Sequence, residues 1–288
     1  MPNSLSLAKS VVLVTGTSTG VGLQTALAFA KAGSTVVATM RDTAKRGPLD
    51  AAALAAGVTM VVETLDVQNG EAISTFVDKL VRDHGRIDVL VNNAGAGFLG
   101  SVEQTSDDDL RRVMETNFFG VWNLTKAVLP HMRRAGIGRI LTVTSVGGLI
   151  GQPFNEAYCA AKFAVEGMME GLAPLARQLG VFISMIEPGP INTEFVANVR
   201  STSNKILANL TPPYDRLLGS YMAASTDVFA KFGQSGEDIA AIIVSAASEA
   251  APHLRYVTSD FARGIVAPKV VDYTGDNVVN AFAARLGG

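Results

Sequence analysis

The stretch Val11-Val12-Leu13-Val14-Thr15-Gly16-Thr17-Ser18-Thr19-Gly20-Val21-Gly22 decides the fold. Four aliphatic residues in a row read as a strand buried on both faces, because a half-exposed strand would alternate with polar positions. The run stops at Thr15, and a GxxxGxG turn leads straight into a segment of helical pattern over 20–32. Glycines in such a turn let the backbone approach a pyrophosphate, and the helix N-terminus presents free N–H groups to it. The spacing is not GxGxxG, and no GK[ST] of a triphosphate loop follows. A tight strand-to-helix turn needs glycine in any case, so this turn takes its meaning from the rest of the chain.

The same unit repeats outward. Further near-continuous apolar runs stand at Thr35–Thr39, Thr59–Val62, Val89–Val91, Arg139–Val143 and Phe182–Ile186. Helical patterns lie between or after them near 44–56, 70–84, 106–135, 157–179 and 236–250. Gly33, Gly57, Gly85, Gly136 and Gly180 sit just past the ends of five helical segments, where helix stops belong. Ser106, followed by three aspartates, is a good N-cap for the fourth. Strand–helix alternation without a composition break predicts one domain over 1–288. Its fold class is α/β, a doubly wound Rossmann-type parallel sheet of about seven strands with helices on both faces. The stretch 190–235 mixes polar residues and Pro212-Pro213 with scattered large apolar ones, and reads as a substrate-loop insertion after strand six.

Composition narrows the class. The 288 residues carry 24 Lys+Arg against 26 Asp+Glu, a net charge of −2, which does not suggest a basic nucleic-acid face. Charged residues make up 17% against a usual value of about 25%, and apolar residues 48%, so more than the usual share of the chain is expected to be buried. One cysteine, Cys159, allows no disulfide framework, and His84, His131 and His253 have no metal-ligand spacing. No metal site is expected. No apolar run approaches the ~18 residues of a spanning helix, and a cytoplasmic protein is the expectation.

Several side chains then stand where chemistry could use them. The second strand ends in Met40-Arg41, the position that faces the adenosine ribose in dinucleotide folds. An acid there would hold a free 2′-hydroxyl; a guanidinium suits a 2′-phosphate. Asp66 follows the third strand and Asn92-Asn93-Ala94-Gly95 the fourth, positions that also suit ordinary turns. Tyr158 and Lys162 are spaced i, i+4 on one helix face, with Ser145 thirteen residues upstream of the tyrosine at a strand end. A free tyrosine titrates near 10, and an adjacent ammonium favours the phenolate, so Tyr158 is expected to exchange protons nearer neutrality. Asn117, inside the fourth helix, is awkward for helix propensity and suggests a polar role, with packing or back-bonding as the competing explanation.

Together these residues resemble the short-chain dehydrogenase/reductase family, and Ser145-Val-Gly-Gly-Leu149 through Tyr158-Cys159 is similar to its 17β-hydroxysteroid and retinol dehydrogenase branch. The resemblance runs from about Lys9 to Thr193 and implies a catalytic set of Asn117, Ser145, Tyr158 and Lys162. It implies Tyr158 as general acid or base, Ser145 orienting the substrate oxygen, Lys162 lowering the tyrosine pKa and holding the nicotinamide ribose, and Asn117 holding a relay water. The implied cofactor residues are Gly16, Thr17, Ser18, Thr19, Gly20, Val21, Gly22, Met40, Arg41, Asp66, Val67, Asn93, Ala94, Gly95, Tyr158, Lys162, Pro188, Gly189, Ile191 and Thr193. Many NADP-preferring members carry a basic residue where this chain has Thr19. Arg41 must then supply most of the 2′-phosphate recognition, so NADP(H) is expected to be preferred and NAD(H) remains possible.

The expected function is an NADP(H)-dependent oxidoreductase interconverting a hydrophobic secondary alcohol and its carbonyl, of steroid, retinoid or other apolar ketone type. The alternative is a dinucleotide-sensing binding protein that kept the fold and lost catalysis; retention of the four-residue set separates the two. Phe98, Ser145, Phe154, Pro190 and Phe195 are the candidate substrate residues. The resemblance also implies a homodimer or homotetramer formed through the helices near 106–135 and 157–179. No nucleic-acid partner and no membrane span are expected.

Overall fold

The computed structural model describes residues 5–194, 198–199, 203–270 and 272–276. Seven parallel strands form one sheet: β1 (Val11–Thr15), β2 (Thr35–Met40), β3 (Val61–Thr64), β4 (Val89–Asn92), β5 (Gly138–Val143), β6 (Val181–Glu187) and β7 (Arg255–Val257). Their order is β3-β2-β1-β4-β5-β6-β7, so the winding reverses between β1 and β4. In an open parallel sheet the crevice at that reversal, beyond the strand carboxyl ends, is where ligands bind. Six strands fall on the apolar runs read from the sequence. The third is displaced by two residues, because its partly exposed flank gives no continuous apolar run to mark its end.

The helices are α1 (Gly20–Lys31), α2 (Gly47–Ala56), α3 (Gly70–His84), α4 (Asp107–Met114), α5 (Gly120–Ala135), α6 (Glu156–Gln178), α7 (Asn204–Ala208), α8 (Tyr214–Phe232), α9 (Gly236–Ser248) and α10 (Asp260–Val266). Strand β1 shows why both faces must be covered. Val11 and Leu13 pack with Val121, Leu124 and Val128 of α5 on one face; Val12 and Val14 pack with Ala26 and Phe29 of α1 on the other. A fully buried side chain such as Leu13 contributes about 1.5–3 kcal/mol. Ser106 caps α4 as expected, its Oγ accepting from Asp109 N at 3.1 Å.

The structure corrects the sequence reading in two places. The helix expected over 106–135 is interrupted by a π-helical turn, Glu115–Phe119. The insertion over 190–235 contains the 19-residue helix α8. Its residues Leu218, Tyr221 and Met222 pack with Leu99 and Phe154 of the body, and Asn155 Nδ2 donates to the Tyr221 hydroxyl at 2.9 Å. No helix among the described residues is long and apolar enough to cross a membrane.

Candidate active site

The carboxyl edge of β1 and β4 is built around glycine. Gly16 and Gly20 adopt φ of +70° and +59°, the left-handed region that residues with a Cβ avoid. A Cβ on Gly22 would stand 2.2 Å from the Gly16 carbonyl oxygen and 2.3 Å from Asn93 Nδ2. Asn93 fixes this turn from the neighbouring strand, with Nδ2 donating to the Thr15 and Gly16 carbonyls at 2.8 and 3.1 Å. Thr15 Oγ1 returns the contact by accepting from Asn93 N and Ala94 N. Thr17 is spent differently from a ligand contact. It is fully buried, and both its N and its Oγ1 donate to the Thr39 carbonyl.

This cradle fits a dinucleotide pyrophosphate. Thr19 stands at the N-cap of α1 without a side-chain capping bond, and the first turn holds no acid, so the N–H groups there are left to an anion. Thr193, in the loop after β6, lies across the turn; a Cβ on Gly20 would be 3.4 Å from Thr193 Cβ. At the end of β2 the two candidates separate. Met40 is buried in the core and Arg41 is exposed, so only the guanidinium faces outward. Asp66 accepts from Gln68 N at 3.0 Å in a turn, and Val67 is buried against Gly120. Pro188, Gly189, Pro190 and Ile191 follow β6, with Gly189 packed towards Ala262.

The catalytic candidates meet at the ends of β5 and α6. Ser145 Oγ accepts from Gly147 N at 3.0 Å and is hydrogen-bonded to Tyr158. Lys162, one helical turn beyond Tyr158, places Nζ 5.7 Å from the tyrosine ring centre and donates to the Val143 carbonyl at 2.9 Å. Burial pushes the Tyr158 hydroxyl up to about 12, only partly opposed by the Ser145 hydrogen bond. Burial likewise brings Lys162 down to about 8 against the attraction of Glu166. The expected lowering of the tyrosine is therefore not what the protein alone produces: burial is the largest influence on the phenol, and the Lys162 ammonium is turned to a carbonyl. Asn117 is fully buried in the π-helical turn and bonds to Ala96 and Val113.

Of the candidate substrate residues, Phe98 is fully buried with Val113, Ala157 and Ala161, with the Arg112 guanidinium 5.9 Å from its ring centre. Phe154 is buried with Leu99 and Leu218, its ring 6.0 Å from that of Tyr221. Both rings pack the insertion against the body, Phe98 through Ile206 and Phe154 through Leu218. Phe195 lies outside the described residues. The sequence reading missed the stacked pair Phe232 and Phe261, 4.3 Å between ring centres, and Phe261 borders Gly189. It also missed the buried charges beneath Lys162. Glu166 at i+4 from the lysine and Glu187 at the end of an apolar strand run were the available signals.

A doubly wound sheet carrying a glycine cradle at its switch point and a Ser–Tyr–Lys group at the next strand ends defines a nucleotide-fold oxidoreductase. The family model described as short chain dehydrogenase matches residues 10–204, and the chain belongs to that family. Retinol dehydrogenase 8 from Bos taurus is 41% identical over 287 residues, covering 97% of this chain and 91% of that protein. The Homo sapiens 17-beta-hydroxysteroid dehydrogenase type 1 is 37% identical over 288 residues, covering 98% and 87%. A metagenomic short-chain oxidoreductase solved in complex with NADP superimposes with a TM-score of 0.69 at 25% identity, covering 88% of this chain and 98% of that one. The chain is an oxidoreductase of alcohol and carbonyl groups.

Proposed function

We propose that this chain is an NADP(H)-preferring oxidoreductase that interconverts a hydrophobic secondary alcohol and its ketone, with Tyr158 as acid and base. The observation that carries the reading is the convergence of Ser145, Tyr158 and Lys162 beside a cradle that fits a dinucleotide. The cofactor, when bound, supplies or accepts the hydride. The chain's own residues handle the oxygen and the proton. Ser145 holds the substrate oxygen, and the Tyr158 hydroxyl donates to it during reduction and recovers the proton during oxidation. Near neutrality the buried phenol carries its proton, the form that carbonyl reduction requires. Lys162 supplies a positive charge beside the ring and a donor for a ribose hydroxyl.

Exposed Arg41 at the end of β2 supports preference for the 2′-phosphate of NADP(H). The apolar cluster of α8 over Phe154 and Leu99 supports an apolar substrate. Exposed Phe119 and Trp122 near the start of α5 and Phe163 on α6 support pairing of these helices with a second copy. Tyr158→Phe tests the mechanism. NADPH should bind within about threefold of the parent affinity by titration, since one hydroxyl away from the pyrophosphate cradle is lost, while ketone reduction should fall by about a thousandfold or more. Reduction within threefold of the parent would refute the assignment. A ketone series of rising apolar area tests the substrate class, and preference for short polar hydroxy compounds would overturn it.

A further inference from the structure

Beneath the catalytic edge, three carboxyl groups converge on one guanidinium. Arg255, the first residue of β7, donates Nε to Glu166 Oε2 at 3.0 Å and Nη2 to Glu170 Oε2 at 2.7 Å. Its Nε also lies 3.2 Å from Glu187 Oε1. Glu166 accepts a second bond from Thr144 Oγ1 at 2.6 Å. Glu187 is completely buried, and neither of its oxygens receives a hydrogen bond from the N–H or O–H groups of the described residues. The single Nε–H of Arg255 is already given to Glu166.

Glu166 Oε2 and Glu187 Oε1 thus crowd the same Arg255 Nε–H, at 3.0 and 3.2 Å. Two ionised carboxylates offer each other only lone pairs, so the two can bond to one another only when one of them carries a proton. Two like charges gathered on one donor inside the protein each disfavour the other's ionised form. Glu166 has two donors that favour its anion; Glu187 has none. We propose that Glu187 is a neutral acid whose proton is shared with ionised Glu166, forming a buried carboxyl pair that fastens the active-site segments together. Thr144 precedes Ser145, Glu187 precedes Pro188, and Glu166 follows Lys162 by one turn, so the pair joins all three to β7. The charged groups acting on Glu187 are Glu166 of α6 and Arg255 of β7, with Glu170 on the guanidinium's Nη2 and Lys162 beyond Glu166. Burial raises both glutamates, Glu187 well above the usual carboxylate range, in keeping with this assignment. The anion at Glu166 also opposes the burial that lowers Lys162. In that respect Glu166 is a positioning residue, and this part rests on the role proposed for Lys162.

The test is thermal unfolding of full-length Glu187→Gln and parent between pH 5 and 8. A carboxyl kept neutral in the fold but ionised in the unfolded chain loses stability as pH rises above the ordinary carboxylate range. Glutamine has no proton to lose, so the variant's Tm should gain on the parent by several degrees from pH 5 to 8. A gain that is absent, or a relative loss, marks an ionised Glu187 paired with Arg255 and overturns the proposal. Failure of Glu187→Gln to fold overturns it too, because a neutral isostere fits a neutral acid. As a second measurement, the infrared difference between parent and variant at pH 7 should contain the C=O stretch of an un-ionised acid; its absence overturns the assignment. Neither readout depends on turnover, so both stand even if the oxidoreductase reading fails. For the positioning role, Glu166→Gln/Glu187→Gln should move the alkaline limb of ketone reduction about one pH unit lower than in Glu187→Gln. An unmoved limb removes that role.

Discussion

Asn117 satisfies both backbone groups of Ala96. Its Oδ1 accepts from Ala96 N at 3.0 Å and its Nδ2 donates to Ala96 O at 2.8 Å, with a further bond to the Val113 carbonyl at 3.1 Å. The last contact reaches back to the i−4 carbonyl and lies where α4 gives way to the π-helical turn. The side chain thus couples the helix interruption to the loop after β4, where Gly95 approaches to within Cβ-contact distance of both Asn117 and Lys162. Asn117→Ala should destabilise the chain by about 2–4 kcal/mol, since one buried donor and two carbonyls lose their partner. Urea unfolding measures this. Asn117→Asp should do no better, because a carboxylate would face two carbonyl oxygens. A loss under about 0.5 kcal/mol would show that the amide is not what holds the loop.

Two glycine-to-alanine substitutions should act in opposite directions. At Gly22 the added methyl would collide with the Gly16 carbonyl and with Asn93 Nδ2, the atom that fixes the turn. Cofactor affinity, measured by titration, should fall at least about tenfold, the cost of displacing one or more turn contacts. Gly219 lies in exposed helix α8 with nothing within 4 Å of its Cβ position. Gly219→Ala should stabilise by about 0.5–1 kcal/mol through the loss of backbone freedom in the unfolded chain. Tolerance at Gly22 equal to that at Gly219 would contradict the cradle geometry.

The legibility of this molecule in its sequence follows from the range of the forces involved. Strands buried on both faces announce themselves as apolar runs, and the five helix stops at Gly33, Gly57, Gly85, Gly136 and Gly180 all carry positive φ. Strand β7 has only three residues and no run to read. Helix α8 did leave a signal. Tyr214, Leu217, Leu218, Tyr221 and Met222 follow the i, i+3, i+4, i+7, i+8 spacing of an apolar stripe, obscured by the polar residues and prolines around it. Asn117 was marked by its poor helix propensity, and the structure shows its side chain bonding the backbone of Val113 and of Ala96. The meeting of Glu166, Glu187 and Arg255 could not be read, since it depends on tertiary contacts among three separate elements. The same is true of the tyrosine's pKa. Spacing places Lys162 beside Tyr158, but only the fold sets how dry the pair is.

Arg41, exposed at the end of β2, should decide between the two dinucleotides. Met40 is buried in the core, so of the two residues at that strand end the guanidinium is the one that faces outward. Arg41→Ala should weaken NADPH by about ten- to a hundredfold, the worth of one charge-assisted contact, and leave NADH within about threefold. Titration of both cofactors checks it. Equal losses would make Arg41 a structural residue.

Lys162 should show a conflict between stability and activity. Its side chain is almost wholly buried, and burial brings it from an ordinary value of 10.5 down to about 8. Below pH 8 the ammonium is charged in both the folded and the unfolded chain, so the fold bears the whole desolvation penalty, on the order of 3 kcal/mol. As pH rises from 8 towards 10.5 the folded chain sheds this proton first, and the penalty is progressively relieved. Lys162→Met should therefore raise Tm most at pH 6–7, with an advantage that narrows above pH 8. The same variant should lose ketone reduction, because no cation remains beside Tyr158. In the parent, kcat/KM for reduction should fall as pH passes about 8, since that ratio reports the free enzyme and Tyr158 keeps its proton to about 12. Lys162→Arg carries a cation that does not titrate in this range, so whatever activity it retains should lack that limb. A limb near pH 8 that survives in Lys162→Arg, or a Lys162→Met protein less stable than the parent at neutral pH, would show that the lysine is neither the titrating group nor a strained one.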